Sequence, residues 1–203
     1  ITPVTNAMLT RPPEGEWLSW RRTHDAYGFS PLKKINRSNV KSLRVAWSWA
    51  LPRGVNQTAP LVHDGVMFVY GNGDTVQAFD AVRGDLLWQY DRRLPTGVAP
   101  STKRGISIYG MRLYVPTSDA HIVALDVKTG KAVWDAPVAD PKGGYGITGG
   151  TLVARGKVMV GTTGRAPGGN YIVALDAETG KEAWRVSTVA RPGEPGGNTW
   201  NDI

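Results

Sequence analysis

The sequence predicts an all-β protein made of four-stranded antiparallel blades of a β-propeller, and three observations lead to this fold class. One pattern, Ala-x-Asp, three residues, Gly, three residues, Trp, occurs three times, with its aspartates at Asp80, Asp126 and Asp176. These aspartates are 46 and then 50 residues apart, which fits the length of one blade. Glycine (25) and proline (14) are abundant, as expected for a chain with many tight turns between short strands.

Each repeat is explained by the physics of one outer hairpin. The Asp126 side chain can bond backbone amides two residues on, and Gly130 supplies the positive φ that the turn needs. A single hairpin cannot bury Trp134, so this indole must dock against the neighbouring blade with its N–H on a backbone carbonyl. Three unrelated hairpins that happen to carry Trp are the alternative, which the regular spacing disfavours. We call the three Asp-to-Gly segments docking turns: 80–84, 126–130 and 176–180.

The elements follow one another in the order of a propeller arc. Residues 1–50 form an N-terminal segment that ends in one strand of a closing blade at 43–49, with Trp47 in the docking position. The predicted units that follow are blade 1 (51–93), blade 2 (94–138), blade 3 (139–188) and a Gly/Pro-rich connector to a further blade (189–203). Two strand-like runs precede each docking turn: 58–63 and 66–70, 105–108 and 112–115, and 151–154 and 157–162.

This arc is too short to close a ring. Propellers usually have about four to eight blades, whereas the sequence supplies three and one further strand. An open arc leaves two sheet faces uncovered. We therefore expect the missing blades to come from the rest of the protein or from a second chain. The 203-residue chain alone is expected to be poorly soluble or oligomeric, which its mass in solution would test.

Composition excludes several functions. The net charge is +7, but basic residues occur in runs no longer than two, which indicates a solvated basic surface rather than a nucleic-acid site. The absence of cysteine excludes disulfides, thiolate metal sites and c-type haem within this chain. No apolar run approaches the roughly 20 residues that span a membrane. The chain starts at Ile1 without an apolar signal region, so we interpret it as a trimmed, exported form located in the bacterial periplasm.

The repeat and its surroundings are similar to a known family. The run Thr-Gly-Lys-x-x-Trp at 129–134 and 179–184 resembles the repeat of PQQ-dependent (quinoprotein) alcohol dehydrogenases, whose propellers have eight blades. The stretch from 20 to 47 resembles the family's N-terminal strand region, and 59–62 resembles the first strand of its first blade. Residues 196–200 resemble the start of its fourth blade. The resemblance therefore covers the chain as the N-terminal part of such a propeller.

The resemblance implies PQQ as the cofactor, a planar ortho-quinone that carries three carboxylates. Carried over by motif, the cofactor-binding residues are Gln57, Arg104, Thr148 and Thr163. Gln57 stands where relatives hold an acidic residue, and it keeps donor and acceptor capacity without the charge. The guanidinium fork of Arg104 suits a carboxylate, although a surface arginine beside Lys103 is the alternative. Thr148 and Thr163 stand at hydroxyl positions of the family, and each can instead be a turn residue.

Two departures from the family pattern concern the residues that lie over the quinone and the ligands of the metal. Many relatives carry a vicinal cysteine pair where this sequence has Val98-Ala99. Relatives also carry a calcium-ligating glutamate near Ala166, whereas the segment 164–170 contains no acid. Calcium prefers about six to eight oxygens, several of them carboxylate, and only Asn170 and backbone carbonyls are on offer here. The calcium site is therefore expected to be weakened, rearranged or lost, and the catalytic aspartate is expected beyond Ile203.

The expected function is the oxidation of an alcohol by hydride transfer to PQQ, with calcium polarising the quinone. Electrons would pass to a cytochrome or a membrane quinone. The alternative is a non-catalytic PQQ-repeat propeller that serves as a binding or assembly scaffold. Arg104 and the two threonines favour the enzyme, and the acid-free segment 164–170 favours the scaffold.

Overall fold

The computed structural model describes residues 1–199, and its strands form the predicted all-β arc of four-stranded antiparallel sheets. The first blade contains β1 (Leu61–His63), β2 (Val66–Gly71), β3 (Thr75–Asp80) and β4 (Leu86–Asp91). The second contains β5 (Ser107–Tyr109), β6 (Arg112–Pro116), β7 (His121–Asp126) and β8 (Ala132–Pro137). In the third, a short ladder joins β9 (Tyr145–Gly146) to β12 (Thr163–Gly164), and the sheet is β10 (Leu152–Ala154), β11 (Lys157–Gly161), β13 (Tyr171–Asp176) and β14 (Glu182–Ser187).

Helical structure is confined to short pieces. They are α1 (Asn6–Thr10) and three 3-10 turns: Val40–Ser42, Pro141–Gly143 and Gly197–Thr199. Within residues 1–199, no helix has the length and apolar character needed to cross a bilayer. The last four residues of the predicted connector lie outside the described residues.

Burial follows the position of a strand within its blade. In the second blade, β7 is buried from Ile122 to Leu125 because it lies between two strands of its own sheet and under neighbouring blades. The outermost strand β8 is paired on one edge only and alternates between exposed and half-buried residues. The same contrast separates β3 from β4 in the first blade. The core of the arc therefore lies between the sheets, along their middle strands.

Three tryptophans make the same contact, each with the docking turn that follows it in the chain. The indole Nε1–H of Trp88, on β4, donates to Val127 O of the second blade at 3.0 Å, and the ring lies against Gly130. The corresponding partners are Ala177 O (3.1 Å) and Gly180 for Trp134, and Ala81 O (3.2 Å) and Gly84 for Trp47. Each docking turn thus receives the tryptophan that precedes it in the chain.

Gly130→Ala is expected to destabilise the protein more than Gly156→Ala, although the two glycines have the same backbone conformation, with φ of +69° and +70°. A β-carbon on Gly130 would lie 2.5 Å from the Trp88 indole, whereas one on Gly156 would meet no atom within 4 Å. Both variants carry the strain of a positive φ, about 1–2 kcal/mol. Displacement of the indole should add about 1–3 kcal/mol to the first alone. Urea unfolding measures the difference, and equal losses would contradict the docking contact.

Both ends of the arc differ from the prediction. Residues 43–49 form no hydrogen-bonded strand with any part of residues 1–199, although Trp47 docks as expected. Val45 on this stretch is 85% exposed, since no described strand lies beside it. The repeat predicts that Trp184 also lies between adjacent sheets, which is wrong for the described residues, where it is 43% exposed. The cause is the same at both ends, because neither has a neighbouring blade in this part of the chain.

The N-terminal segment fastens the three blades together at one end. Val4 exchanges two backbone hydrogen bonds with Gly110, in the turn after β5, at 2.9 and 2.8 Å. The side-chain oxygen of Asn6 accepts the backbone N–H of Arg155, in the turn after β10, at 3.1 Å. These contacts fix the relative positions of the blades. They do not involve the opposite end of the arc, where β1, β5 and β10 begin.

His63 completes this fastening in the first blade. Its side chain is fully buried, with Nδ1 at 2.7 Å from Glu16 Oε2 and Nε2 at 2.8 Å from Thr2 O. Glu16, His63 and Asp64 are the one group of acidic and histidine side chains in residues 1–199 that lie close enough to share a metal ion. Because both ring nitrogens already contact oxygens of the N-terminal segment, we interpret the group as a structural anchor.

Candidate functional site

The four residues predicted to bind a cofactor lie at one end of the arc. Gln57, Arg104 and Thr148 each precede the first strand of a blade, and Thr163 follows β11, which runs antiparallel to β10. All four are therefore at the end opposite the N-terminal fastening. Gln57 and Arg104 are exposed, and Thr148 and Thr163 are half-buried. The topology thus places the predicted set at a common rim, which we call the cofactor rim.

Two glycines bring Arg104 and Thr148 together. Gly105 follows Arg104, and Gly150 lies two residues after Thr148. The two glycine backbones pack so closely that a β-carbon on Gly150 would lie 3.0 Å from both Cα and O of Gly105. A side chain at position 150 would require the two backbones to move apart by a few tenths of an ångström. The glycine therefore favours the close approach of the segments that carry Arg104 and Thr148.

Thr163 joins the same group through the short ladder of the third blade. It pairs with Gly146, two residues before Thr148. Gly164, the other residue of β12, has φ +115°, and a β-carbon there would lie 2.1 Å from Gly144 O. Glycine at this position is what allows β12 to reach β9.

Gln57 shares a cleft with Lys103, a residue that the sequence does not single out. Gln57, Ser101 and Lys103 line one narrow cleft at the start of the first two blades. Lys103 is 2% exposed, and its Nζ donates to Ser101 O and Ser118 Oγ, each at 3.2 Å. Asp74 Oδ1 lies 4.0 Å from the same nitrogen. Lys103 therefore fixes the segment on which the neighbouring Arg104 is carried.

Electrostatics of this buried group follow from its partners. Burial lowers the pKa of Lys103, and the Asp74 and Asp119 carboxylates act in the opposite direction. Asp74 is 1% exposed and accepts hydrogen bonds from Ser118 Oγ at 2.9 Å and from the Tyr70 hydroxyl. Burial and the Asp74 carboxylate both raise the pKa of Tyr70. The result is a satisfied polar network between the first and second blades that holds one side of the cofactor rim.

The four predicted side chains are uncommitted. Within residues 1–199, the side chains of Gln57, Arg104, Thr148 and Thr163 make no hydrogen bond or ion pair with the protein. Three other hydroxyls in the second and third blades are engaged: Ser107 Oγ lies 2.8 Å from Thr151 Oγ1, Thr151 Oγ1 donates to Tyr114 O at 2.8 Å, and Thr162 Oγ1 accepts the backbone N–H of Tyr171 at 3.0 Å. One cation, one amide and two hydroxyls are thus free to bind a polar, anionic ligand at the rim.

The loop from Gly164 to Asn170 does not have the donors of a calcium site. Ala166, at the predicted glutamate position, is buried, 9% exposed, against the backbone of Gly144. Asn170 Oδ1 accepts a hydrogen bond from Thr162 Oγ1 at 3.3 Å, and Asn170 Nδ2 donates to Gly164 O at 3.1 Å. The loop therefore offers no carboxylate, and its one side-chain oxygen faces inward.

Comparison with known proteins identifies the family to which this chain belongs. The family model described as "PQQ: Glucose/ethanol/alcohol dehydrogenase, beta-propeller domain" matches residues 17–135. The chain belongs to this PQQ dehydrogenase family. The match extends from the N-terminal fastening through the second blade, and it contains Gln57 and Arg104.

Three relatives of this PQQ dehydrogenase propeller show how much of such a protein it represents. Quinohemoprotein alcohol dehydrogenase ADH IIB of Pseudomonas putida is 43% identical over 162 residues, which are 76% of this chain and 23% of that protein. The structure of quinohemoprotein alcohol dehydrogenase from Comamonas testosteroni has a TM-score of 0.79 and 34% identity, and covers 93% of this chain and 29% of that one. A europium-containing methanol dehydrogenase has a TM-score of 0.81 and 29% identity, covering 93% and 34%. The chain thus spans about a quarter to a third of their lengths.

Proposed function

We propose that the protein to which this arc belongs oxidises an alcohol with PQQ as its redox cofactor. The observation that carries the proposal is the convergence of Gln57, Arg104, Thr148 and Thr163 at one rim, all without protein partners in residues 1–199. A polyanionic, planar ligand needs a cation and several neutral donors, and this set provides both.

Each residue has a distinct part in holding the cofactor. PQQ supplies the hydride acceptor when bound. Arg104 presents a permanently charged fork to one of its carboxylates, and Thr148 and Thr163 donate neutral hydrogen bonds from the third blade. Gln57, which precedes the first strand of the first blade, donates or accepts a hydrogen bond. The absence of a side chain at Gly149, where a β-carbon would meet no atom within 4 Å, leaves room for a flat ligand to approach the backbone.

Calcium assistance, expected from the resemblance, is not supported by the described residues. The loop from Gly164 to Asn170 lacks a carboxylate, and calcium sites are built from about six to eight oxygens. The proposal therefore assigns no step to calcium. Acceptance of electrons by a cytochrome or membrane quinone, location in the periplasm, and completion of the ring by further blades remain predictions of the resemblance. The aspartate that would take the hydroxyl proton is expected beyond Ile203.

The acid-free loop favours a second candidate, a propeller that serves as a binding or assembly scaffold without redox chemistry. The two candidates differ in whether PQQ binds. Titration of PQQ into the apo protein with its propeller complete, followed by quenching of tryptophan fluorescence, distinguishes them. Saturable binding supports the enzyme, and no binding at any calcium concentration leaves the scaffold as the better interpretation.

Thr148→Ala and Thr163→Ala are expected to weaken PQQ binding by about 0.5–1.5 kcal/mol each, because each removes one neutral hydrogen bond. The same quenching titration measures the loss. Thr129→Ala, in the docking turn of the second blade, provides the control because its hydroxyl bonds Asp126 at 2.9 Å and lies outside the rim. If the rim variants bind PQQ as tightly as this control, the two threonines are turn residues.

A further inference from the structure

We propose that Arg165 supplies, at the third blade, the positive charge that a loop-bound divalent ion would otherwise bring to the cofactor. The inference rests on the proposed binding of PQQ at the rim. It concerns the loop from Gly164 to Asn170, in which Arg165 is the only charged side chain. The cofactor would then be held by guanidinium groups, without a metal contributed by this loop.

The loop offers no carboxylate to a metal. Its Asn170 side chain bonds Thr162 and Gly164, and some of its backbone carbonyls also accept hydrogen bonds. Ala166 O accepts the Gly169 N–H at 3.0 Å. Gly168 O accepts Nη2 of Arg191 at 3.1 Å. A cation entering here would have to displace these bonds, and no carboxylate would compensate it.

Charge balance favours a further cation at the rim. PQQ carries three carboxylates, and Arg104 offers one positive charge to them. Lys103 cannot serve, because its ammonium group is buried among Ser101, Ser118 and Asp74. Arg191 is also committed, since it holds the loop through Gly168 O.

Arg165 meets the requirement by position and by availability. It directly follows β12, two residues from Thr163, on the loop that the β9–β12 ladder holds at the rim. It is exposed, and within residues 1–199 it has no hydrogen-bond or ion-pair partner. An exposed, weakly hydrated guanidinium can form charge-assisted, bidentate hydrogen bonds with a carboxylate-bearing ligand.

The test measures PQQ affinity by fluorescence quenching in EDTA and with added Ca²⁺ or Tb³⁺, using the protein with its propeller complete. We expect EDTA to leave the affinity of the wild-type protein unchanged. Arg165→Gln should weaken binding about tenfold or more, as for the loss of a charge-assisted hydrogen bond. Arg155→Gln is the matched control, because this exposed arginine lies in the turn at the opposite end of the third blade. Tb³⁺ luminescence with Tb³⁺ alone reports metal binding independently of PQQ and of activity.

A variant that adds a carboxylate to the loop provides a second test. Ala166→Glu should create Tb³⁺ binding that the wild-type protein lacks, because one carboxylate is added where none exists. Thermal melting checks that this variant folds, and Arg165→Gln decides the question if it does not. Binding of PQQ that needs added metal, or that is unchanged in Arg165→Gln, overturns the role of Arg165 while the proposed function stands. No PQQ binding under any condition overturns the proposed function as well.

Discussion

Replacing Trp134 by alanine is expected to lower the free energy of unfolding by about 3–5 kcal/mol, the range for removal of a packed aromatic side chain. The change removes the hydrogen bond to Ala177 O, the cover over Gly180, and the ring contact with Tyr114, whose centroid is 5.7 Å away. These contacts connect the second and third blades, so their loss opens the interface that aligns Arg104 with Thr148. Denaturant unfolding followed by far-UV circular dichroism measures the effect.

Val133→Ala is the control for this experiment, because Val133 lies on the same strand and is 48% exposed. Surface substitutions of this kind usually change stability by less than about 0.5 kcal/mol. A Trp134→Ala variant that unfolds at the same denaturant concentration as Val133→Ala would mean that the indole does not hold the blades together.

Arg104→Ala is expected to weaken PQQ binding by about 1.5–3 kcal/mol, or roughly 10- to 150-fold in Kd, because it removes a hydrogen bond between charged groups. Arg104→Lys should fall between the wild type and alanine, since lysine keeps the charge but loses the planar fork. Fluorescence quenching by PQQ provides the measurement for both variants.

Arg155→Ala serves as the control for Arg104→Ala, because it removes the same charge from the end of the third blade opposite the cofactor rim. Its Kd for PQQ should equal that of the wild-type protein. If both alanine variants bind with unchanged affinity, Arg104 is a surface arginine and the cofactor is held by other groups.

The blades could be predicted from the sequence because their signals are local. The Asp126 carboxylate accepts the backbone N–H groups of Lys128 and Thr129 at 3.0 and 2.9 Å, as the spacing of Asp and Gly in the docking turn predicts. Four residues on from Asp126, Gly130 has the positive φ that the turn requires. Such features depend on residues within one hairpin, and a repeat displays them several times.

The features that the sequence did not reveal depend on distant partners. The sequence predicts the same exposure for Lys103 as for its neighbour Arg104. Lys103 is buried, however, because Asp74 and Ser118, which come from other parts of the chain, lie around its side chain. Residues 43–49 have the composition of a strand, but a strand also needs a neighbour to pair with, and none lies beside them in residues 1–199. The rim itself was predicted residue by residue from the resemblance, and the roles of its side chains in binding PQQ stay predictions.

The docking contact is directional, because the tryptophan of one segment binds the docking turn of the next. The direction of a contact determines how copies of a protein can assemble through it. A contact that joins two different surfaces of the same unit is heterologous, so copies can add head to tail without limit when both surfaces are free. In residues 1–199, however, Trp47, Trp88 and Trp134 fill all three docking turns of their own chain. Within residues 1–199 these turns therefore offer no vacant acceptor to Trp184 of another copy. Head-to-tail addition through the three described docking turns is blocked, because Trp47 already occupies the first of them.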